Sequence, residues 1–392
     1  MKIAYFTDMF LPHLSGVTTA LINQVVGLSK RGHQIYIFAP KQKTKGPVRF
    51  ELENVRVEYL SSFPFIVYPD VRFALPLSAT AFTKLRKFNP DIVHFQSPSP
   101  AGMAGTIVAK ILNKPLIGTF HGYFMEPEYL QIVGFMNSFQ KITTSVLWKY
   151  TTAYFNQCDG VVSPSEISKT DLINHGITRD IHIIHNSINP DQIKLISSHK
   201  VQELKQKLGL KKYVVLYVGR ISIEKNLDQL ITSFQLVLKQ QPESSLCIVG
   251  KGPATKSLKE LARKLRIMKN VIFLGEVQQD PLLSDGYYQM ADMFATASVS
   301  ELQPVSIIEA FAFGLPLVGS AKRGTEEMIK NVGLLAKPND IKDFAHNILD
   351  ILKDPKLKAD LQKKSLKAYE TQYNLETTTK HYEEYYQSFL KN

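Results

Sequence analysis

The chain has 392 residues, 44% hydrophobic and 21% charged, a globular composition long enough for two domains, with no apolar run of the roughly 18 residues a membrane span needs. Its formal charge of +12 is shared evenly between residues 1–190 and the remainder. That distribution excludes a basic nucleic-acid tail and suits an anionic small ligand or an anionic lipid surface.

The first residues, Met1-Lys2-Ile3-Ala4-Tyr5-Phe6, read as a strand, not a signal peptide. Cys158 and Cys247 lie far apart in apolar stretches, as buried thiols of a reducing cytoplasm do, and no Cys/His cluster has metal-ligand spacing. A strand at 2–7 leads through a loop to a helix at 17–30, stopped by Gly32, and a strand at 34–39. Short buried strands follow at 92–95, 116–120, 160–162 and 182–184, with helical segments between them. After a charged helical stretch at 200–212 the alternation restarts. Strands at 213–218, 245–249, 271–274, 293–297 and 317–319 are interleaved with helices at 227–240 and 254–267. Helices at 342–353 and 377–390 end the chain. The expectation is α/β architecture with two doubly wound, Rossmann-like domains, at 1–190 and 191–372, facing a central cleft at the carboxyl ends of their strands. Residues 373–392 are expected to pack back toward the first domain.

Loops after strands carry residues that packing alone does not require. Gly16 stands at the first helix start, where it lets a phosphate approach the backbone, although a plain helix start explains it equally well. His121, in Gly118-Thr119-Phe120-His121-Gly122, sits at a strand end, where structural and functional roles stand level. Val218-Gly219-Arg220-Ile221-Ser222-Ile223-Glu224-Lys225-Asn226 sets two cations before a helix N-terminus. They oppose the helix dipole, and an anion between them would remove the conflict. Val249-Gly250-Lys251-Gly252-Pro253 lacks the third glycine of a dinucleotide fingerprint, and the chain has no Walker loop, which disfavours nicotinamide and ATP enzymes.

The most informative stretch is Glu301-Leu-Gln-Pro-Val-Ser-Ile-Ile-Glu309, running into Ala310-Phe-Ala-Phe-Gly314-Leu-Pro316. Pro304 suits a first helical position and Gly314 a stop. Glu309 then lies in an apolar, buried helix, where a carboxylate is costly unless partnered. Either a Lys or Arg pairs with it, or it and Glu301 face a ligand at the helix N-terminus. In the second case phosphates meet the helix end, Glu309 accepts from ribose hydroxyls, and Glu301 faces the group beyond the phosphates.

Together these motifs resemble, in order and spacing, the retaining two-domain (GT-B) glycosyltransferases of family 4, over essentially the whole chain. Within the family the chain is most similar to bacterial enzymes that glycosylate membrane lipids, such as diacylglycerol glucosyltransferases, and to related mannosyltransferases. Residues 5–19 and Tyr68-Pro69-Asp70-Val71-Arg72-Phe73-Ala74-Leu75-Pro76 carry that closer similarity.

The resemblance implies that Arg220 and Lys225 neutralise the donor diphosphate, Glu309 holds the ribose and Glu301 contacts the transferred sugar. It further implies that the Gln303-Pro304-Val305 backbone closes over phosphates and sugar, Val277 lies beside the base, His121 touches the sugar and Gly16 covers the diphosphate. His121 and Glu301 are the catalytic candidates; no metal or other cofactor is expected. Gln303-Pro304 replaces the Phe-Gly of many relatives, which leaves the donor sugar open, and Asn186-Ser187-Ile188-Asn189 replaces the usual Asn-Gly-Ile/Val-Asp.

The expected reaction moves a hexose, with UDP-glucose the favoured donor, to a lipid hydroxyl such as that of diacylglycerol, with retention. A soluble or polysaccharide acceptor, a GDP-mannose donor and a non-catalytic nucleotide-sugar binder remain as alternatives. Contact with the inner face of the plasma membrane would be peripheral. Residues 130–155, with Lys141 and Lys149, and residues 63–77 are the segments that either lie on a bilayer or pack ordinarily.

Overall fold

In a computed structural model that describes residues 1–13, 15–42, 50–64, 72–123 and 140–391, the chain divides into two units. One comprises Met1–Ser187 with Leu375–Asn392, the other Ile188–Asn374. Residues 68–71 and 130–139, in the segments singled out above, lie outside the described residues, as does the side chain of Lys141.

The first unit runs β1 (Lys2–Phe6), α1 (Gly16–Lys30), β2 (Gln34–Pro40), β3 (Val55–Leu60), β4 (Ser62–Pro64), β5 (Arg72–Ala74), α2 (Ala79–Phe88), β6 (Ile92–Phe95), α3 (Pro100–Leu112), β7 (Leu116–Thr119), α4 (Gln140–Phe155), β8 (Gly160–Ser163), α5 (Glu166–Asn174) and β9 (Ile181–Ile183). Seven parallel strands among the described residues form one sheet in the order β3-β2-β1-β6-β7-β8-β9, and β4 and β5 form an antiparallel pair.

The second unit runs α6 (Ser198–Lys207), β10 (Tyr213–Val218), α7 (Leu227–Gln240), β11 (Ser244–Val249), α8 (Thr255–Lys264), β12 (Val271–Gly275), α9 (Gln279–Ser284), β13 (Met293–Thr296), α10 (Val305–Ala312), β14 (Leu317–Ser320), α11 (Arg323–Ile329), β15 (Leu334–Ala336), α12 (Ile341–Lys353) and α13 (Pro355–Ala368). Its sheet, also parallel, has the order β12-β11-β10-β13-β14-β15. The last helix, α14 (Leu375–Ser388), returns to the first unit.

Both sheets are buried on two faces, which is why their strands are nearly continuous apolar runs. In the first unit, α1 and α14 cover one face and α2, α3 and α4 the other. Phe6 and Phe38 stack beneath Gly105 of α3, and Phe88 of α2 meets Tyr36 edge-on. Gly27 of α1 lies so close to α14 that a Cβ there would come 2.0 Å from the Thr379 hydroxyl oxygen.

Beneath α14 lies a buried polar network. The Tyr386 hydroxyl is 2.8 Å from that of Tyr5 and 2.6 Å from His94 Nδ1, and it accepts from Gln24 Nε2–H at 2.9 Å. His94 Nε2 lies 2.7 Å from the Thr119 hydroxyl. Burial, with the neighbouring His121, pushes His94 down to about 3, so the ring is neutral at physiological pH.

Two expectations change in detail. The charged stretch at 200–212 is helical only to Lys207, because Gly209, at φ +65°, ends the helix. Strand β3, Val55-Arg56-Val57-Glu58-Tyr59-Leu60, alternates apolar and polar residues and is legible in the sequence although not among the expected strands, whereas the three-residue strands β5 and β15 emerge only from their pairing.

Candidate functional site

In the second unit the loops that follow the neighbouring strands β10 and β13 meet. Tyr217 donates its hydroxyl to the Arg220 carbonyl oxygen at 2.9 Å, fixing the turn that starts at Gly219. A 3-10 turn, Ile223–Lys225, follows, and Asn226 at φ +53° opens α7. Glycines lock this loop onto the next. A Cβ at Gly250 would lie 1.9 Å from the Gly219 carbonyl oxygen, and one at Gly252 would lie 2.1 Å from that of Ile221. The Gly-x-Gly turn therefore lets two backbones pass in contact, a packing task that the bare sequence could not distinguish from phosphate binding.

Lys225 Nζ donates to Glu301 Oε1 at 2.5 Å, with the two side chains 18% and 19% exposed. The protein supplies a carboxylate from the adjacent strand's loop, which relieves the clash with the α7 dipole. The Glu301 carbonyl in turn accepts from Gly324 N–H at 3.0 Å. A side chain at Gly324 would strike the Leu302 carbonyl oxygen at 1.6 Å, so the Glu301 loop is clamped by the start of α11.

Pro304 proves to be the residue before the helix, at φ −68° and ψ 125°, and α10 begins at Val305. Gln303 and Val305 are buried and Pro304 is half-buried. Glu309, five residues in, is 3% exposed. Uncharged donors hold its carboxylate: Gln279 Nε2–H donates to Oε1 at 2.5 Å, and the Tyr288 hydroxyl donates to Oε2. Burial raises its pKa, and those two donors oppose the rise. Tyr288, stacked on Phe313, is held neutral by burial and by the adjacent carboxylate. A carboxylate offers about four lone-pair positions, so capacity remains for further donors. Val277 precedes Gln279 by two residues and packs partly buried in the same core, after a turn in which Lys251 and Glu276 pair at 2.5 Å.

Gly16 and His121 belong to the first unit. Ser15 caps α1 by accepting from Thr18 N–H at 3.2 Å, and a Cβ at Gly16 would meet nothing within 4 Å. Packing within the chain thus makes no demand for glycine there. His121 follows β7, partly buried, with Nε2 2.7 Å from Oε1 of the fully buried Gln96 at the end of β6. A carboxamide oxygen facing Nε2 selects the tautomer protonated there and leaves Nδ1 as an acceptor. Burial pushes the ring down to about 4, so it is neutral at pH 7. Asp8, at the end of the adjacent β1, accepts from Ala74 N–H at 2.6 Å and Ala101 N–H at 2.8 Å, anchoring β5 and the start of α3.

The structure thus joins Lys225 to Glu301 through the loops after β10 and β13, with Arg220 in the first loop, Gln303 and Pro304 in the second, Val305 opening α10, Glu309 further along that helix, and Val277 two residues before Gln279, which reaches Glu309. Sequence reasoning missed Gln96, Gln279 and Tyr288. Gln96 had one visible signal, a polar residue directly after a buried strand. Gln279 and Tyr288 had none, because what distinguishes them is their approach to Glu309. Among the described residues, no three His, Cys, Asp or Glu side chains converge as a metal-holding group.

The family model for glycosyl transferases group 1 matches residues 200–368, and that for Glycosyltransferase Family 4 matches residues 14–192. An alpha-monoglucosyldiacylglycerol synthase of Streptococcus pneumoniae is 30% identical over 356 residues, 90% of this chain and 78% of that protein. A GDP-mannose-dependent alpha-mannosyltransferase of Corynebacterium glutamicum is 27% identical over 89% of this chain and 79% of its own. Among solved structures, Anabaena HepE in complex with UDP-glucose superposes with a TM-score of 0.75 at 19% identity, covering 99% of this chain and 100% of that one.

Proposed function

Because the chain belongs to the group 1, family 4 glycosyltransferases, enzymes of the GT-B fold that use a nucleotide sugar, we propose that it transfers glucose from UDP-glucose to a lipid hydroxyl such as that of diacylglycerol, with retention and without a metal. The observation that supports this reading is the contact of Lys225 with Glu301, between the loop that also holds Arg220 and the loop that leads to the buried Glu309. Two cations and a carboxylate-lined sugar position suit a diphosphate leaving group with a hexose attached. The glycolipid-forming name of the Streptococcus relative supports the acceptor class.

The chemistry asks mainly for electrostatic work. As the bond from the anomeric carbon to the donor phosphate oxygen breaks, charge grows on the diphosphate, and the Arg220 guanidinium and Lys225 ammonium stabilise it there. The acceptor hydroxyl oxygen forms the new bond on the same face, and its proton passes to the departing phosphate oxygen. Lys225, already paired with Glu301, would then bridge sugar-facing carboxylate and phosphate, coupling donor position to charge stabilisation. Glu309 accepts from the ribose hydroxyls, with Tyr288 and Gln279 holding its carboxylate in place. Neutral His121 offers its Nδ1 lone pair to a sugar hydroxyl, the tautomer being set by Gln96.

A donor panel of UDP-glucose, UDP-galactose and GDP-mannose, assayed with diacylglycerol in mixed micelles and with soluble sugars, tests the reading. The expected product is an α-glucosyl lipid, with its anomeric configuration read by NMR. Turnover of GDP-mannose alone would replace the donor assignment. An inverted product, or transfer only to soluble sugars, would overturn the mechanism or the acceptor.

A further inference from the structure

The 3-10 turn ahead of α7 places its residues against the usual pattern. Ile223 is 69% exposed, while the next residue, Glu224, is 7% exposed. A turn built for packing alone would bury the isoleucine and leave the acid in water. Glu224 is instead tied inward. Ser222, buried at the cap position of the turn, gives its hydroxyl to Glu224 Oε1. The Ser298 hydroxyl, from the loop after β13, donates to the Glu224 carbonyl oxygen at 3.4 Å. Oε2 is buried and meets no hydrogen-bond donor among the described residues. A carboxylate kept for architecture would have both oxygens satisfied, and a neutral side chain of similar volume would destabilise the fold less.

The surrounding residues give this charge a use. The loops at 219–226 and 297–304 hold two cations, Arg220 and Lys225, and two carboxylates, Glu224 and Glu301. Burial, then Glu301, then Glu224 push the Tyr217 hydroxyl well above its ordinary range, so both acids bear on the tyrosine that fixes the Arg220 turn. The two acids differ in freedom. Solvent reaches Lys225 and Glu301, so their pair can part when a phosphate arrives, whereas Glu224 is enclosed and keeps its place. Transfer leaves a terminal phosphate whose second ionisation lies at about pH 6, so at neutral pH the product diphosphate carries about one more negative charge than the donor. Cations that stabilise the leaving group therefore hold the product more tightly than the donor.

We propose that Glu224 is a positioning residue that acts as a fixed counter-charge. Through Arg220 and Lys225 it limits how tightly the loop holds the nucleoside diphosphate, and so lets that product leave after transfer. The inference rests on the nucleotide-sugar reading and adds to it a residue for product release.

The test is calorimetric titration of the full chain with UDP, wild type against Glu224→Gln. One unit charge within about 10 Å of a bound anion, at an effective dielectric constant of about 20–40, changes affinity roughly 4- to 16-fold. Glu224→Gln is therefore expected to bind UDP about 4- to 16-fold more tightly, with the gain shrinking as salt is added. Its turnover at saturating donor should fall while its single-turnover rate is not slowed. A merely structural acid predicts the opposite sign, because a disturbed loop binds more weakly. Glu224→Met removes the charge without leaving an amide to satisfy, and repeats the test where Gln lowers the melting temperature. UDP affinity within twofold of wild type, or weaker, in a folded variant would overturn the assignment, as would failure of both variants to fold. In each of those cases UDP binding by wild type leaves the donor site standing. Wild type that binds no UDP would remove the donor reading and the counter-charge with it.

Discussion

Replacing Glu309 by Gln separates the two tasks of that side chain. Its carboxylate accepts from Tyr288 and Gln279 while nearly inaccessible to water. An amide keeps one acceptor oxygen and turns an NH2 group toward the second donor, so one of the two loses its partner. An orphaned buried donor costs about 1–3 kcal/mol, partly offset by removal of a buried charge. The charge effect has a definite sign. The folded pKa of Glu309 lies above its ordinary value, so the folded state binds more protons in the interval between the two. Its contribution to stability therefore falls as pH rises through that interval and stays at the lower level above it. Glu309→Gln lacks this fall, and its melting temperature relative to wild type should improve as pH rises across the window. For the donor, losing a hydrogen bond from a ribose hydroxyl to a charged acceptor costs about 1.5–3 kcal/mol, or roughly 10- to 150-fold in affinity. Isothermal titration calorimetry with UDP and UDP-glucose reads this directly. A variant that binds both ligands within about twofold of wild type would refute the assignment of Glu309 to the ribose.

Removing either cation should lower kcat/KM by about 10²–10³-fold in a steady-state transferase assay, as loss of a preorganised charge-stabilising group does. Lys225→Met additionally leaves the largely buried Glu301 without its partner, costing about 1–3 kcal/mol in urea unfolding, between exposed and buried pairs. Adding Glu301→Gln should restore stability and not activity. His94 and His121 are pushed down to about 3 and about 4, so between those values and the ordinary 6.5 the unfolded chain binds the extra protons. Stability should therefore fall with acidification, by at most about 2.7 kcal/mol per pH unit near pH 5, and His121→Asn should halve that slope. Gly252→Ala forces a Cβ to 2.1 Å from the Ile221 carbonyl oxygen and should destabilise the second unit by about 1–3 kcal/mol in denaturant unfolding. An alanine variant as stable as wild type would show that the loop yields freely.

The alternation of strands and helices, the α/β class and the restart of the pattern after residue 200 were legible in the chain itself, because buried parallel strands are near-continuous apolar runs between amphipathic helices. The motif residues Arg220, Lys225, Glu301 and Glu309 were legible for a related reason: charges set beside apolar segments stand out locally. What tertiary structure decided is how those charges are satisfied. Lys225 and Glu301 lie 76 residues apart in sequence and meet because β10 and β13 are neighbours in the sheet. Glu309 is held by Tyr288 and Gln279 through a helix packing that no spacing rule encodes. Gln96 acquires meaning only when β6 and β7 lie side by side and bring His121 to it. Periodicity reports which face of an element avoids water, whereas a hydrogen bond or ion pair between distant segments depends on strand order and close packing, which exist only once the chain has folded.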